Sequence, residues 1–509
     1  MTLAERLAAA VADGMPRARD DLARLVACRS VFNPAIESAT ECVAAAQLAA
    51  ELFGDAGVPV TVAETPDGSL AVVGRRTGPA TAPTVLLYTH HDVVPAGALD
   101  AWHSPPFDLT DRDGRWFGRG AADCKGNLVA TVLALRAITA VLGSWPVTVA
   151  VVCEGSEEQT SGGMEALARA QPELVAADAI VLVDTGNIAA GQPTLTTSLR
   201  GTGSVLITVT TMAQPAHSGS FGGAAPDALQ ALLTTLASLR SASGETTIDG
   251  LDGHGIWDGA PFEVARFVAD AGLIPGVSPL LGDGGRSGAC AAGADSGGSE
   301  SDVLTPERAD SDALRPEGAS GIAACADAAG SSPEGASGSA IADLVWARPA
   351  ATVLAIDCPP IAQVSAAIQG TARAVVNLRV PPRLDAGAAQ QLLVDHLRRH
   401  TPYGLVEITP LSLGQGFRAR SDGPAYQAMG RAMAQAFGRD VVTTGQGGSI
   451  PLAVALADLQ PDAEILLLGV EEPQSHIHGP NESVAPKEIE RTALSLALFL
   501  CEFAATTTS

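Results

Sequence analysis

Two short segments of this chain carry residues whose types and spacing suit metal chemistry. Leu86-Leu87-Tyr88-Thr89-His90-His91-Asp92-Val93-Val94-Pro95 delivers a His-x-Asp triplet at the end of an apolar run. Gly118-Arg119-Gly120-Ala121-Ala122-Asp123-Cys124-Lys125-Gly126 delivers a carboxylate from a glycine-rich turn. Alternate residues of an extended chain project to one side, so His90 can bind a metal while Asp92 orients its ring, and His91 points the other way. Val151-Val152-Cys153-Glu154-Gly155-Ser156-Glu157-Glu158 follows another apolar run with adjacent carboxylates, of which one can bind metal while the other accepts a proton. Asp184 ends a third run, and His476-Ile477-His478-Gly479-Pro480-Asn481-Glu482 supplies imidazoles in a loop. Singly, such residues are more often hydrogen-bonded structural groups. Together they fall mostly at strand ends of one α/β pattern, where such folds place their sites.

The elements that must position these groups follow from hydrophobic spacing. Leu3 to Ala12, Arg17 to Cys28 and Ala39 to Phe53 read as surface helices punctuated by Gly14 and Gly54. Val58 to Val62, Leu70 to Val73, Val85 to Tyr88, Val147 to Val152 and Ala179 to Val183 read as strands, the first an edge strand because of Pro59, with helices at Asn127 to Val141 and Met164 to Ala170. This alternation predicts an α/β sheet covered by helices on both faces. After Arg200, strands at Gly203 to Thr211, Thr352 to Ile356, Ala372 to Val380 and Leu405 to Thr409, with helices at Pro226 to Leu239 and Ala386 to His400, give a β-α-β-β-α-β order. The α/β pattern resumes with a helix at Ala425 to Ala436, a strand at Glu464 to Leu468 and a helix after Pro486. The expected organisation is a discontinuous α/β domain over 1–199 and 413–509, with a smaller α+β domain over 200–412 inserted into it.

Composition narrows the function. The chain has 509 residues, 46% hydrophobic and 17% charged, which exceeds one ordinary core and suits a globular protein. A formal charge of −25 repels phosphate and anionic lipid, so neither nucleic acid nor a membrane surface is expected as a partner. Eight cysteines without a Cys-x-x-Cys pair are expected to be reduced thiols in the cytoplasm. No secretory segment is visible after Met1, and no apolar run reaches the ~20 residues of a membrane span. Residues 281–343 hold eleven acids against three bases and repeat Pro-Glu-Gly-Ala-Ser-Gly at 316–321 and 333–338. Such a stretch buries too little apolar surface to offset its ordering entropy and is expected to be a disordered loop.

From about residue 20 to 500, with that stretch interrupting, these segments resemble the M20 metallopeptidases, which include carnosinase-like dipeptidases, glutamate carboxypeptidases, succinyl-diaminopimelate desuccinylases and aminoacylases. The resemblance implies a catalytic role for the larger domain, a lid and dimerisation role for the smaller, and two divalent metal ions, usually zinc, with manganese or cobalt also suited to mixed nitrogen and oxygen ligands. It implies His90 and Asp184 on one metal, Glu158 and His478 on the other, and Asp123 bridging both. Glu157 is then the general base and Asp92 the residue that fixes His90. The Asp123-Cys124 peptide is expected to be cis, with no ligand role for the thiol. The pattern His-x-x-Asn-Glu selects His478 over His476, while His91 is expected off the metals and His103 to be structural.

In the smaller domain, Gln214-Pro215-Ala216-His217-Ser218-Gly219-Ser220-Phe221-Gly222-Gly223 resembles the lid segment with which this family reaches a substrate, often across a dimer, and His217 would stabilise the oxyanion. Arg379, within Val376-Asn377-Leu378-Arg379-Val380-Pro381-Pro382, matches an arginine that clasps the substrate's terminal carboxylate. Gly445-Gln446-Gly447-Gly448-Ser449-Ile450-Pro451 resembles a dipeptidase loop whose backbone amides, at Gly447, Gly448 and Ser449, meet the substrate, although Gln446 stands where relatives often carry an acid. The expectation is a homodimeric hydrolase of amide bonds in a dipeptide or small peptide with a free C-terminal carboxylate. Its rivals are a deacylase or desuccinylase of the same family and an inactive binding protein on the same fold. The presence of Glu157 and all five ligand residues disfavours the last.

Overall fold

The computed structural model describes residues 1–159, 161–280, 338–448 and 450–506. Strands Thr84–His90, Thr148–Glu154, Ala179–Val183 and Glu464–Leu468 are buried along nearly their whole length, as parallel strands with helices on both faces must be. They lie within a nine-stranded mixed sheet ordered Val60–Glu64, Leu70–Arg76, 148–154, 84–90, 179–183, 464–468, Thr194–Leu199 and Phe417–Arg418, with Val442–Gln446 paired to 194–199. The four buried strands run parallel, so their C-terminal ends share one edge of the sheet.

Side chains alternate along each strand between two cores. Val85, Leu87, Val149, Val151, Val181 and Leu466 face one, and Leu86, Tyr88, Ala150, Val152, Ile180 and Leu467 face the other. Helices Leu3–Ala27, Ala39–Asp55, Lys125–Leu142, Pro424–Phe437 and Pro486–Thr506 cover the first core, and Gly163–Ala170 and Pro451–Leu459 the second. Each leucine or valine fully buried this way contributes about 1.5–3 kcal/mol. Helix 125–142 matches a membrane span in length and apolarity over its 18 residues, and its apolarity serves burial between the sheet and its helical neighbours.

Strands Gly201–Thr210, Ala350–Asp357, Thr371–Val380 and Leu405–Gly414 form a separate antiparallel sheet in the order 350–357, 371–380, 201–210, 405–414. Helices Ala228–Ala237 and Ala386–His400 pack on one face through Val205, Ile207, Val209, Val376 and Leu378. Short helical turns at Val264–Asp270 and over 338–347 intervene between the first of these helices and the 350–357 strand.

Two sequence expectations are corrected. The helices expected at 3–12 and 17–28 are one continuous helix, Leu3–Ala27, with Leu7, Val11, Ala18, Leu22 and Leu25 in phase on its buried face. Gly14 does not break it, because its missing side chain is what admits Leu133, whose Cδ1 would lie 2.5 Å from an added Cβ. The disorder expected over 281–343 falls mostly outside the described residues. Its last residues are ordered: Gly338–Ala342 is helical and leads into Asp343–Ala347, packed through Ala342 and Trp346 against Trp257.

Glu154 ends the 148–154 strand as a buried carboxyl that accepts a 2.8 Å hydrogen bond from Tyr88 Oη. Burial pushes its pKa up to about 8. Its folded pKa therefore exceeds the unfolded value near ~4.3, and the stability it contributes is present at low pH and lost as pH rises through that interval. Glu154→Gln should remove a downward slope of up to about 1.4 kcal/mol per pH unit from the unfolding free energy between about pH 5 and 8. Denaturant titrations across that range test this, and parallel slopes in the two proteins would refute it.

Candidate metal centre

The shared strand edge delivers the candidate ligands. His90 is the last residue of the 84–90 strand, Asp184 follows 179–183 directly, and Glu157 and Glu158 lie in the turn after 148–154. Asp123 precedes helix 125–142, joined to Cys124 by a cis peptide, and His478 comes from the loop beyond 464–468. His90 Nε2 lies 3.1 Å from Asp123 Oδ1 and 3.1 Å from Asp184 Oδ1. His478 Nε2 lies 3.0 Å from Asp123 Oδ2 and 3.1 Å from Glu158 Oε2. The Asp123 carboxylate thus stands between two donor sets, one on each oxygen.

Supporting residues hold this arrangement. Asp92 is fully buried, its Oδ1 lies 3.3 Å from His90 Nδ1, and its carboxylate oxygens accept the N–H of Glu157 at 3.2 Å and of Glu158 at 3.1 Å. One carboxylate therefore fixes both a ring and a pair of glutamates. Glu482 accepts the N–H of Gly120 at 2.9 Å and of Ala122 and Asp123 at 3.1 Å, and it receives Arg119 Nη1 at 2.6 Å in a fully buried pair. Gly120 takes a φ of 81°, which a side chain would strain. In the loop carrying His478, the non-glycine residues His476, His478 and Asn481 have φ of 51°, 63° and 62°, a conformation held only by surrounding contacts. Asn481 Oδ1 accepts the N–H of His103 at 2.8 Å and its Nδ2 donates to Ala101 O at 2.9 Å.

Motif reasoning passed over the roles of Glu482 and Glu471. Glu471 follows the 464–468 strand and brings a carboxylate within 4.8 Å of the ligand atoms of Asp123 and Asp184, steadied by Asn127 Nδ2 at 3.3 Å. The chain crosses so closely here that a Cβ on Gly469 would lie 1.9 Å from Thr185 O. The adjacent acids Glu471-Glu472 after a buried strand repeat the pattern of Glu157-Glu158, which was the available signal.

Five carboxylates, on Asp123, Glu157, Glu158, Asp184 and Glu471, face two imidazoles, so the cluster lacks positive charge. Burial pushes Glu158 up to about 7 and raises Glu157, Asp184 and Glu471. Burial also works to raise Asp123, but hydrogen bonds from His478 and His90 hold it low. Those with Asp123 and Glu158 lift His478 to about 11. Burial opposes a charge on His90, and Cys124, Asp184 and Asp123 outweigh it. Glu158 Oε1 is buried with no hydrogen-bond partner among the described residues. An unpaired ligand atom, nitrogen and oxygen donors only, and excess negative charge together fit divalent cations. Cys124 Sγ also lies within 4.8 Å of the His90 and Asp184 ligand atoms, but it donates to Val183 O at 3.2 Å and burial holds its pKa well up, so it stays a thiol.

The remaining residues singled out in the sequence lie elsewhere. His91 is buried against Leu70 O at 2.9 Å, on the far side of its strand, and burial lowers it to about 4. His476 lines a cavity of about 460 Å3 that it shares with Gly447 and Glu471. His217 is exposed on the lid, where its Nδ1 accepts the N–H of Gly219 at 3.1 Å. Arg379 is half-buried on the 371–380 strand, and Gly447 and Gly448 follow the 442–446 strand. Ser449 lies outside the described residues.

This fold and site have counterparts among known proteins. A family model described as peptidase family M20/M25/M40 matches residues 86–502, and the chain belongs to that family. It is an enzyme of the dipeptidase type within it. The chain is 37% identical over 452 residues to the cysteinylglycine-S-conjugate dipeptidase of Corynebacterium striatum, covering 88% of this chain and 87% of that protein. It is 38% identical over 183 residues to the Cys-Gly metallodipeptidase of Schizosaccharomyces pombe, 35% of this chain and 38% of that one. Human carnosine dipeptidase 1 and the Saccharomyces cerevisiae dipeptidase Dug1p share its fold, each with a TM-score of 0.74 at 20% identity over 99% of both chains.

Removing Glu482 leaves Arg119 buried and uncompensated and frees three backbone donors of the Asp123 loop. Glu482→Ala should cost about 3–5 kcal/mol of stability and reduce metal content in parallel. Thermal unfolding and elemental analysis check this, and full metal content at unchanged stability would contradict it.

Proposed function

We propose that this chain hydrolyses the peptide bond of dipeptides that carry a free C-terminal carboxylate, using two divalent cations, of which zinc best matches the donors. The observation that carries this reading is the placing of two imidazoles on opposite oxygens of Asp123, at 3.1 and 3.0 Å, each also touching a second carboxylate. The 37% identity to a dipeptidase named for cysteinylglycine conjugates supports a dipeptide substrate. His90, Asp184 and Asp123 would hold one cation, and Asp123, Glu158 and His478 the other. Bound there, such a pair would polarise a scissile carbonyl and lower the pKa of an attacking water.

The chain's own residues do the rest. Glu157, its backbone tied to Asp92, accepts a proton from the attacking water on a carboxylate oxygen and returns it to the leaving amine nitrogen. Asp92 keeps the His90 ring aligned during that transfer. Arg379 binds the substrate's carboxylate, and the backbone amides of Gly447 and Gly448 meet its main chain. His217, exposed on the lid, donates to the oxyanion in the site of a second copy, which makes the working unit a homodimer. Free thiols at Cys28, Cys42, Cys124, Cys153, Cys358 and Cys501 support a cytoplasmic setting.

Chelation should abolish turnover of dipeptides, and zinc, manganese or cobalt should restore it. A panel of dipeptides and N-acyl amino acids decides the substrate class, and turnover confined to the acyl compounds would assign a deacylase instead. Glu157→Gln should lower kcat by about 100- to 10,000-fold while elemental analysis finds metal content unchanged. Retained turnover would remove Glu157 from its role as base.

A further inference from the structure

Arg200 is buried, with only 8% of its surface exposed. Its Nε and Nη1 are shielded from solvent and have no hydrogen-bond acceptor among the described residues. Other deeply placed arginines have an acid close by: Arg119 meets Glu482 at 2.6 Å, Arg115 meets Glu472 at 2.6 Å and Arg136 meets Asp21 at 2.5 Å. Taking a guanidinium out of water without a counter-charge costs several kcal/mol, so its neighbourhood is arranged to receive an anion or is a liability.

Among the described residues, that neighbourhood supplies no counter-charge. The charged neighbour that acts on Arg200 is Arg379, of like sign, and burial together with that neighbour lowers Arg200 to about 10. Arg379 sits opposite Thr202 in the pairing of strands 371–380 and 201–210, two residues beyond Arg200. Asn377 Nδ2 donates to Thr202 Oγ1 at 2.8 Å and to Ser204 Oγ at 2.9 Å, so each hydroxyl keeps its own hydrogen to give away. The backbone N–H of Arg200 is held by Gln446 O at 3.1 Å, and Gly447 approaches so closely that an added Cβ would lie 3.1 Å from Arg200 Nη2. Gly447 in turn lines the cavity bounded by Glu471, whose carboxylate lies within 4.8 Å of the ligand atoms of Asp123 and Asp184.

We propose that Arg200 is the second, buried half of a paired-guanidinium subsite, and that with Arg379 it receives the C-terminal carboxylate of the substrate beside Gly447. This rests on the dipeptidase reading above and deepens it, because two uncompensated cations make the free carboxylate a requirement of binding. A C-terminal amide presents hydrogens where the subsite already has only donors, so it is rejected by unpaired charge as well as by lost attraction.

The test compares a dipeptide with its C-terminal amide on the full-length, metal-loaded enzyme. Arg200→Met should lower kcat/KM for the free dipeptide about 100-fold, mainly through KM, and should raise rather than lower the amide's value, so that the discrimination collapses. Arg200→Lys should recover part of the loss, as should added guanidinium ion with Arg200→Met. Equal losses on both substrates, or no loss on either, overturn the subsite. Should Arg200→Met fail to fold, Arg200→Lys carries the same comparison. Glycine binding to the Glu157→Gln protein, measured by calorimetry, reads the subsite without turnover and should weaken about 10-fold or more when Arg200→Lys is added. Absence of dipeptide turnover in the native enzyme counts against the functional reading alone, whereas unchanged glycine binding in the Arg200 variants counts against the subsite alone.

Discussion

Buried negative charge without enough buried positive charge is the constraint that organises this molecule. Five carboxylates and two imidazoles meet at one edge of a parallel sheet, where low polarisability makes every uncompensated charge expensive. Hydrogen bonds within the cluster relieve this only in part, as Glu158 Oε1, without a partner among the described residues, shows. The surrounding structure spends its polar groups on rigidity instead. Asp92 and Glu482 contribute no atom to the pair of contacts at Asp123, yet between them they fix a ring, two glutamate backbones and the loop that presents the shared carboxylate. Three left-handed non-glycine residues in the 476–481 loop show the same priority, since backbone strain is accepted to bring one imidazole in from a distant part of the chain.

A second charge imbalance of opposite sign lies on the far side of the Gly447 turn. Arg200 Nε and Nη1 have no acceptor among the described residues, and Arg379 lies across from Thr202 close by, at the junction of the large sheet with the smaller one. Cations held among the carboxylates would offset the first imbalance, and an anion between the guanidiniums would offset the second. Electrostatic complementarity of this kind favours one partner and one orientation over others.

Much of the site was legible because its chemistry clusters in sequence at the ends of apolar runs. His90 with Asp92, Glu157 with Glu158, and Asp184 each follow a strand whose valine and leucine content announces full burial. Residues that act at a distance left no such mark. Glu482 and Arg200 read as ordinary charged residues until the fold sets them beside a backbone loop or another arginine, whereas Glu471, like Glu157, sits just beyond a buried strand. The strands 194–199 and 442–446 were missed for a related reason: Thr194-Leu195-Thr196-Thr197-Ser198-Leu199 is half polar, and its burial is imposed by neighbouring strands rather than by its own composition. Gly14 misled in the opposite direction, since a residue that punctuates helices in isolation here serves close packing of one helix on another.

The position of the 464–468 strand has a consequence for how the protein comes into being. It is slotted between 179–183 and 194–199, so two strands made before the smaller sheet are kept apart by one made after it. Until the ribosome has passed through the whole smaller sheet, the emerging chain carries open, apolar strand edges of the kind that seek illegitimate partners. Completion of the central layer and arrival of the last imbalance-relieving imidazole are therefore nearly simultaneous, which leaves little opportunity for a half-made polypeptide to be active.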